Sequence, residues 1–97
     1  MKYGIWVKDE SFDVYEDGSK RRVNTNEGWR ADKEYESMRA AKESLATAKD
    51  MLEEDCYDVT TVNTVTIKGV RVNTYNGEPC APTKHEERVT YHIEKRR

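Results

Sequence analysis

The sequence predicts an α+β domain: an antiparallel sheet of about five to six strands in the order β-β-β-α-β-β-β, with one helix packed on one face. Three observations carry that expectation. Tyr35, Met38, Ala41, Leu45, Ala48 and Leu52 recur at spacings of 3, 3, 4, 3 and 4, an apolar stripe along one side of a helix. Lys42, Glu43, Lys49, Asp50 and Glu53 fall on its other sides. The chain is also rich in β-branched residues, with nine Val, three Ile and nine Thr against two Leu, and these suit pleated surfaces better than helices. Finally, the segments on either side of the helix alternate apolar and polar residues with the period of a strand.

At the N-terminal end, Tyr3, Ile5 and Val7 point one way and Gly4 and Trp6 the other. Lys8-Asp9-Glu10-Ser11 reads as a polar turn, after which Phe12 and Val14 resume the alternation. A four-residue loop there pairs Val7 with Phe12 and Ile5 with Val14, so that all four share a face. Asp17-Gly18 is a hairpin turn by composition, and a third strand, Ser19 to Thr25, runs back beside the second. Asn24 to Arg30 reads as loop. Either Asp32 or Ser37 caps the helix, which spans Tyr35 to Asp55. Its end carries Glu53-Glu54-Asp55, where the helix dipole disfavours acids, so that end is expected to fray or to be held by another group.

Beyond the helix, apolar residues are symmetric about Lys68-Gly69. A two-residue turn there puts Val65, Ile67, Val70 and Val72 on one face, and the competing reading is one long strand with a bulge at Gly69. Asn76-Gly77 to Glu86, with Pro79 and Pro82, is expected to be loop. Arg88 to Lys95 forms the last strand, with Val89, Tyr91 and Ile93 inward. Residues 1–97 make a single domain, with a mobile tail over 95–97.

The charge balance, 19 acids against 17 bases, argues against both a basic DNA-coating protein and an acidic DNA mimic. No apolar run of a signal peptide or membrane span is evident near the start, so the expected setting is the cytoplasm, without a membrane partner. Cys56 and Cys80 are read as reduced thiols, with a disulfide as the alternative. No Gly-rich phosphate loop, zinc spacing or convincing nucleophile pair occurs, and neither catalysis, cofactor nor metal is expected. His85-Glu86-Glu87 lacks the second histidine of a zinc-protease helix.

What remains is a surface. One helix can cover only one sheet face, and the strand pairing above leaves Trp6, Asp13, Tyr15, Lys20 and Arg22 together on the other, Tyr15 opposite Lys20 and Asp13 opposite Arg22. Arg71 and Tyr75 are expected on the same side. Trp, Tyr and Arg dominate interface energetics, so these seven residues are the candidate site for a protein partner, with RNA or single-stranded nucleic acid as the alternative. The oligomeric expectation is a monomer or a homodimer.

The short hairpin Tyr3–Glu16, the Ala-rich helix Ser37-Met38-Arg39-Ala40-Ala41-Lys42 and the polar β-rich remainder resemble, in size and pattern, the small proteins that phages encode against host defences, anti-CRISPR inhibitors among them. That resemblance implies a non-catalytic inhibitor occupying a surface of a large complex in the host cytoplasm. The opening Met1-Lys2-Tyr3 strand, the acidic turn and the helix segment Ala41-Lys42-Glu43 also resemble HicB-type antitoxins over residues 1 to 54, without that family's Pro-Asp-Leu-Pro-Gly segment.

Overall fold

The computed structural model describes residues 2–75 and 80–96. Strands β1 (Lys2–Val14) and β2 (Lys20–Trp29) lead through a single 3₁₀ turn (Arg30–Asp32) to helix α1 (Met38–Glu54). Strands β3 (Asp58–Asn63), β4 (Thr66–Thr74) and β5 (Lys84–Arg96) follow. They form one antiparallel five-stranded sheet in the order β2-β1-β5-β4-β3. The α+β class stands, but the element order is β-β-α-β-β-β, with five strands and no three-stranded opening meander.

The helix forms where its apolar stripe predicts. Ala41, Leu45, Ala48 and Leu52 are buried against Ile5, Ile67, Val89 and Ile93, with Met38 packed alongside. Ser37, not Asp32, is the N-cap residue, its Oγ accepting from the Ala40 N–H at 3.2 Å. Tyr35 precedes the helix. It is buried through an antiparallel bridge to Tyr3, each donating its N–H to the other's carbonyl, and its hydroxyl lies 2.6 Å from Ser44 Oγ.

The acidic helix end is held rather than frayed. Tyr57 N–H donates to the Leu52 carbonyl and Cys56 N–H to that of Glu53, the paired bonds of a Schellman motif. Cys56 occupies the left-handed position at φ 67°. Arg71 adds its guanidinium at this end, with Nη1 3.5 Å from the Asp55 carbonyl, where a cation suits the dipole.

Two expected turns are absent, and one cause explains both. Strand β1 runs through Lys8–Ser11, and β4 runs through Lys68-Gly69. In each, the apolar residues change face partway along. Ile5 and Val7 look toward α1 while Phe12 and Val14 look away; Ile67 looks toward α1 while Val70 and Val72 look away. The change falls at the same level across the sheet, just past the row Asp9–Val89–Gly69. A thirteen-residue strand spans about 43 Å, whereas a seventeen-residue helix spans about 25 Å, so α1 runs out near mid-sheet. The molecule measures 53 × 24 × 20 Å accordingly. Gly69 sits under the last helical turn, where a Cβ would lie 3.3 Å from both Leu52 Cδ1 and Tyr57 Cδ1. It is neither turn nor bulge; it is a place where the helix end leaves little room for a side chain.

The β3–β4 turn instead falls at Thr64-Val65, where Asn63 Oδ1 accepts from the Val65 N–H at 2.8 Å. Strand β2 continues to Trp29 through residues expected as loop, and β5 begins at Lys84 rather than Arg88. Lys95 and Arg96, expected in a mobile tail, pair with Tyr3 and Lys2. The loop residues Asn76, Gly77 and Pro79, and Arg97 of the expected tail, lie outside the described residues. Cys56 and Cys80 are both exposed and not bonded to each other.

Two substitutions test this packing. Gly69→Val is expected to lose about 1–3 kcal/mol in denaturant unfolding, the usual cost of overpacking. Cys56→Gly is expected to gain about 0.5–1 kcal/mol. It relieves a left-handed non-glycine residue at a smaller cost in unfolded-chain entropy.

Candidate functional site

The β1–β2 hairpin decides which side chains share the uncovered face. Its loop is Glu16-Asp17-Gly18, closed by Gly18 N–H to the Tyr15 carbonyl and Tyr15 N–H to the Ser19 carbonyl, both at 2.9 Å. Gly18 takes φ 85°, as a three-residue hairpin loop requires. That loop shifts the register by one from the expected two-residue turn. Phe12 pairs with Arg22, Asp13 with Arg21 and Val14 with Lys20.

Of the seven expected site residues, Trp6, Lys20 and Arg22 lie on the uncovered face. Asp13 and Arg71 do not; they project to the helix side, beyond the end of α1. There Asp13 Oδ1 is 3.4 Å from His85 Nδ1, and Tyr75 meets the same imidazole at 6.4 Å between ring centres. Tyr15, half-buried, follows the last residue of β1 and closes the hairpin. The expected pairs Tyr15–Lys20 and Asp13–Arg22 are therefore not formed. The expectation that Arg71 and Tyr75 lie beside Trp6 depends on a turn at Lys68-Gly69; the continuous β4 puts Arg71 on the opposite face.

The uncovered face contains groups that alternation alone does not reveal. Trp29, in the stretch read as loop, packs edge-on against Trp6 at 5.1 Å and 89°. It also lies against Gly4, where a Cβ would fall 2.8 Å from the indole. Arg96 lies over the Trp29 ring at 5.0 Å. Phe12 has two guanidiniums over its ring, Arg22 at 5.7 Å and Arg88 at 5.3 Å. Arg22 also bonds Glu10 at 3.0 Å. Val70 and Val72 occupy the same face, and Val72 is 50% exposed.

Glu86 sits beneath these cations, 7% exposed, bonded by Lys20 Nζ at 3.1 Å and by Arg88 Nε. Burial would raise its pKa, but the bonds from Arg88 and Lys20 outweigh it and hold the carboxyl below its ordinary range. Thr66 Oγ1 and His92 Nδ1 are 2.5 Å apart on the same face.

On the helix side, Arg71 stacks on Tyr57 at 4.6 Å and bonds Glu87 at 2.8 Å. Burial raises the Glu87 pKa, but hydrogen bonds from Tyr57 and Arg71 bring it below the ordinary range. The Tyr57 phenol is pushed up, first by burial and then by Glu87. Two buried atoms of this group, Asp9 Oδ1 and Arg71 Nε, have no hydrogen-bond partner among the described residues. Burial, then the Glu87 charge, raise the Asp9 pKa. These groups seal the end of the core. Among the described residues, no group of three or more His, Cys, Asp or Glu could hold a metal ion, and no helix is long and apolar enough to cross a membrane.

Comparison of the chain with protein-family models, with curated proteins and with solved structures finds no match.

The two kinds of carboxyl give opposite pH dependences. Glu86 and Glu87 bind protons more weakly when folded, so their stabilisation is present above the ordinary Glu value of 4.5 and is lost as pH falls through their lowered values. Asp9 binds its proton more tightly when folded, so its ionisation opposes folding at neutral pH and ceases to do so as pH falls toward its ordinary 3.8. Asp9→Asn is expected to raise stability at pH 7 by at most about 1 kcal/mol, and thermal melts should show the gain shrinking toward pH 4.

Proposed function

We propose that the domain is a non-catalytic protein-binding module and that its uncovered sheet face, on the half beyond α1, is the docking surface. One observation carries this reading. Phe12, Val14, Val70 and Val72 all turn to the face opposite α1, which no described helix or strand covers. At the same level the helix side is polar, with Asp9, Ser11, Asp13, Glu87 and Arg71. A strand segment that places its apolar residues outward suits burial against something else. Arg22, Arg88, Lys20 and Lys68 flank the patch and fit a partner surface that is apolar at its centre and acidic at its margin.

The same details favour protein over nucleic acid. Stacking a base requires an open aromatic face, whereas Phe12 and Trp29 already hold guanidiniums over their rings. The cations are interleaved with Glu10, Glu86 and Glu94, which bond to Arg22, Lys20, Arg88 and His92. A phosphate backbone would meet a surface largely neutralised from within. The resemblance in style to phage anti-defence proteins suggests a particular use for such a face, namely blocking a surface of a large host complex in the cytoplasm. That use is part of the proposal.

Val72→Asp is the direct test, because Val72 is exposed and its loss should leave the melt within a few degrees. Affinity capture from host lysate treated with nuclease should retain a partner for the wild-type domain. The Val72 variant should lose at least about tenfold in affinity, as when a hot-spot contact is removed, while Tyr75→Ala, on the other side, should not. Capture unchanged by Val72→Asp would overturn the docking surface. Capture abolished by nuclease and falling steeply with salt would favour the nucleic-acid reading.

A further inference from the structure

Strand β2 is an edge of the sheet, and it is ten residues long against six for β3 at the other edge. From Lys20 to Glu27 every residue is exposed. Such an edge offers a row of unpaired backbone groups to any strand that can match it. Its one irregularity is informative. Ser11 pairs with Asn24 and Phe12 with Arg22, so Val23 is an extra residue bulged out of the β1–β2 ladder.

The bulge resets which side chains face which way. On the tip side of Val23, Lys20 and Arg22 look to the uncovered face and Arg21 to the helix side. Beyond it, Thr25 and Glu27 look to the uncovered face, and Asn24 and Asn26 to the helix side. Without the extra residue, positions 20 and 27 would point to opposite faces.

We propose that this edge pairs antiparallel with the same edge of a second copy of the chain. The two-fold axis lies between Val23 and Asn24, and two five-stranded sheets become one continuous sheet. Lys20 then lies opposite Glu27 of the second copy, Arg21 opposite its Asn26, and Arg22 opposite its Thr25. Every one of these pairs shares a face, and the bulge falls at the axis. A slip of one residue sets uncovered-face side chains against helix-side ones, and a register centred on Arg21 sets Lys20 against Arg22. Basic edges ordinarily deter pairing; in this register the three cations meet an acid and two neutral side chains instead of each other. Among the described residues, neither Arg21 nor Glu27 has an ion-pair partner within its own chain. The two helices lie on the same side of the joined sheet, and the two uncovered faces become one.

Edge pairing over eight residues a side buries less than a standard interface of roughly 1,200–2,000 Å², so the association is weak and reversible. Sedimentation velocity over a micromolar-to-millimolar series should show a monomer–dimer equilibrium. Glu27→Lys should weaken it at least tenfold. Lys20→Glu should do the same, and the double charge exchange should restore it. Because Lys20 also bonds Glu86, thermal melts of each variant check that the fold is intact. Hydrogen exchange gives a second readout without substitution: at dimer-forming concentration, alternate amides of β2 should gain protection while those of the β3 edge should not. A chain that stays monomeric through the series, or a dimer whose affinity moves less than twofold in both single variants, would overturn the proposal.

Discussion

The controlling constraint is a mismatch of lengths between one helix and the sheet it covers. The helix reaches as far as Gly69, where Leu52 and Tyr57 leave little room for a side chain on β4, and from there on no described helix covers the strands. Below that level the domain is an ordinary two-layer packing, with Ile5, Leu45, Ile67 and Ile93 enclosed between helix and sheet. Above it the strands must satisfy both faces without a second layer, and the sequence answers by exchanging their polarity. One geometrical limit thus accounts for the core, for its polar lid and for the displaced apolar patch.

The lid shows how the transition is managed. Arg71 serves several groups at once: the carbonyl at the helix end, the ring of Tyr57 and the carboxylate of Glu87. Charge-assisted bonds of this kind are stronger than neutral ones, and here they place polar groups where the apolar packing under α1 ends. The arrangement is imperfect at two points: among the described residues Asp9 Oδ1 has no donor and Arg71 Nε no acceptor.

The helix is legible in the sequence because an apolar repeat near 3.6 residues, sustained over four turns, fits no other regular backbone, and the Ser37 cap is one of two candidates the residues offer. The strands are harder. Alternation reports which face is apolar, and equating the apolar face with the covered one fails where the cover ends. Phe12 after Val7, and Val70 after Ile67, therefore look like turns. Asn63, whose side chain closes the actual β3–β4 turn, is a turn-forming residue whose signal the symmetry about Lys68-Gly69 obscures, and the strand before it goes unplaced. Trp6, Lys20 and Arg22 are expected on the uncovered face, and there they are found. Asp13, Arg71 and Tyr75 depend on turns that the continuous β1 and β4 do not contain, and the expected Tyr15–Lys20 and Asp13–Arg22 pairs on a register that the loop at Gly18 sets differently. Trp29 stays hidden because Asn24, Asn26 and Gly28 give its strand the composition of a loop.

The strand order has a consequence for assembly of the fold. Strand β5, last in sequence, lies at the centre of the sheet, between the β1–β2 hairpin on one side and the β3–β4 hairpin on the other. Until it inserts, those two local units have no common ladder, and the helix packs against a sheet with a gap in its middle. Formation of the native state therefore waits on contacts between the most distant parts of the chain, the condition under which folding is slow. Until β5 is in place, β1 and β4 each present an open inner edge that another strand could occupy.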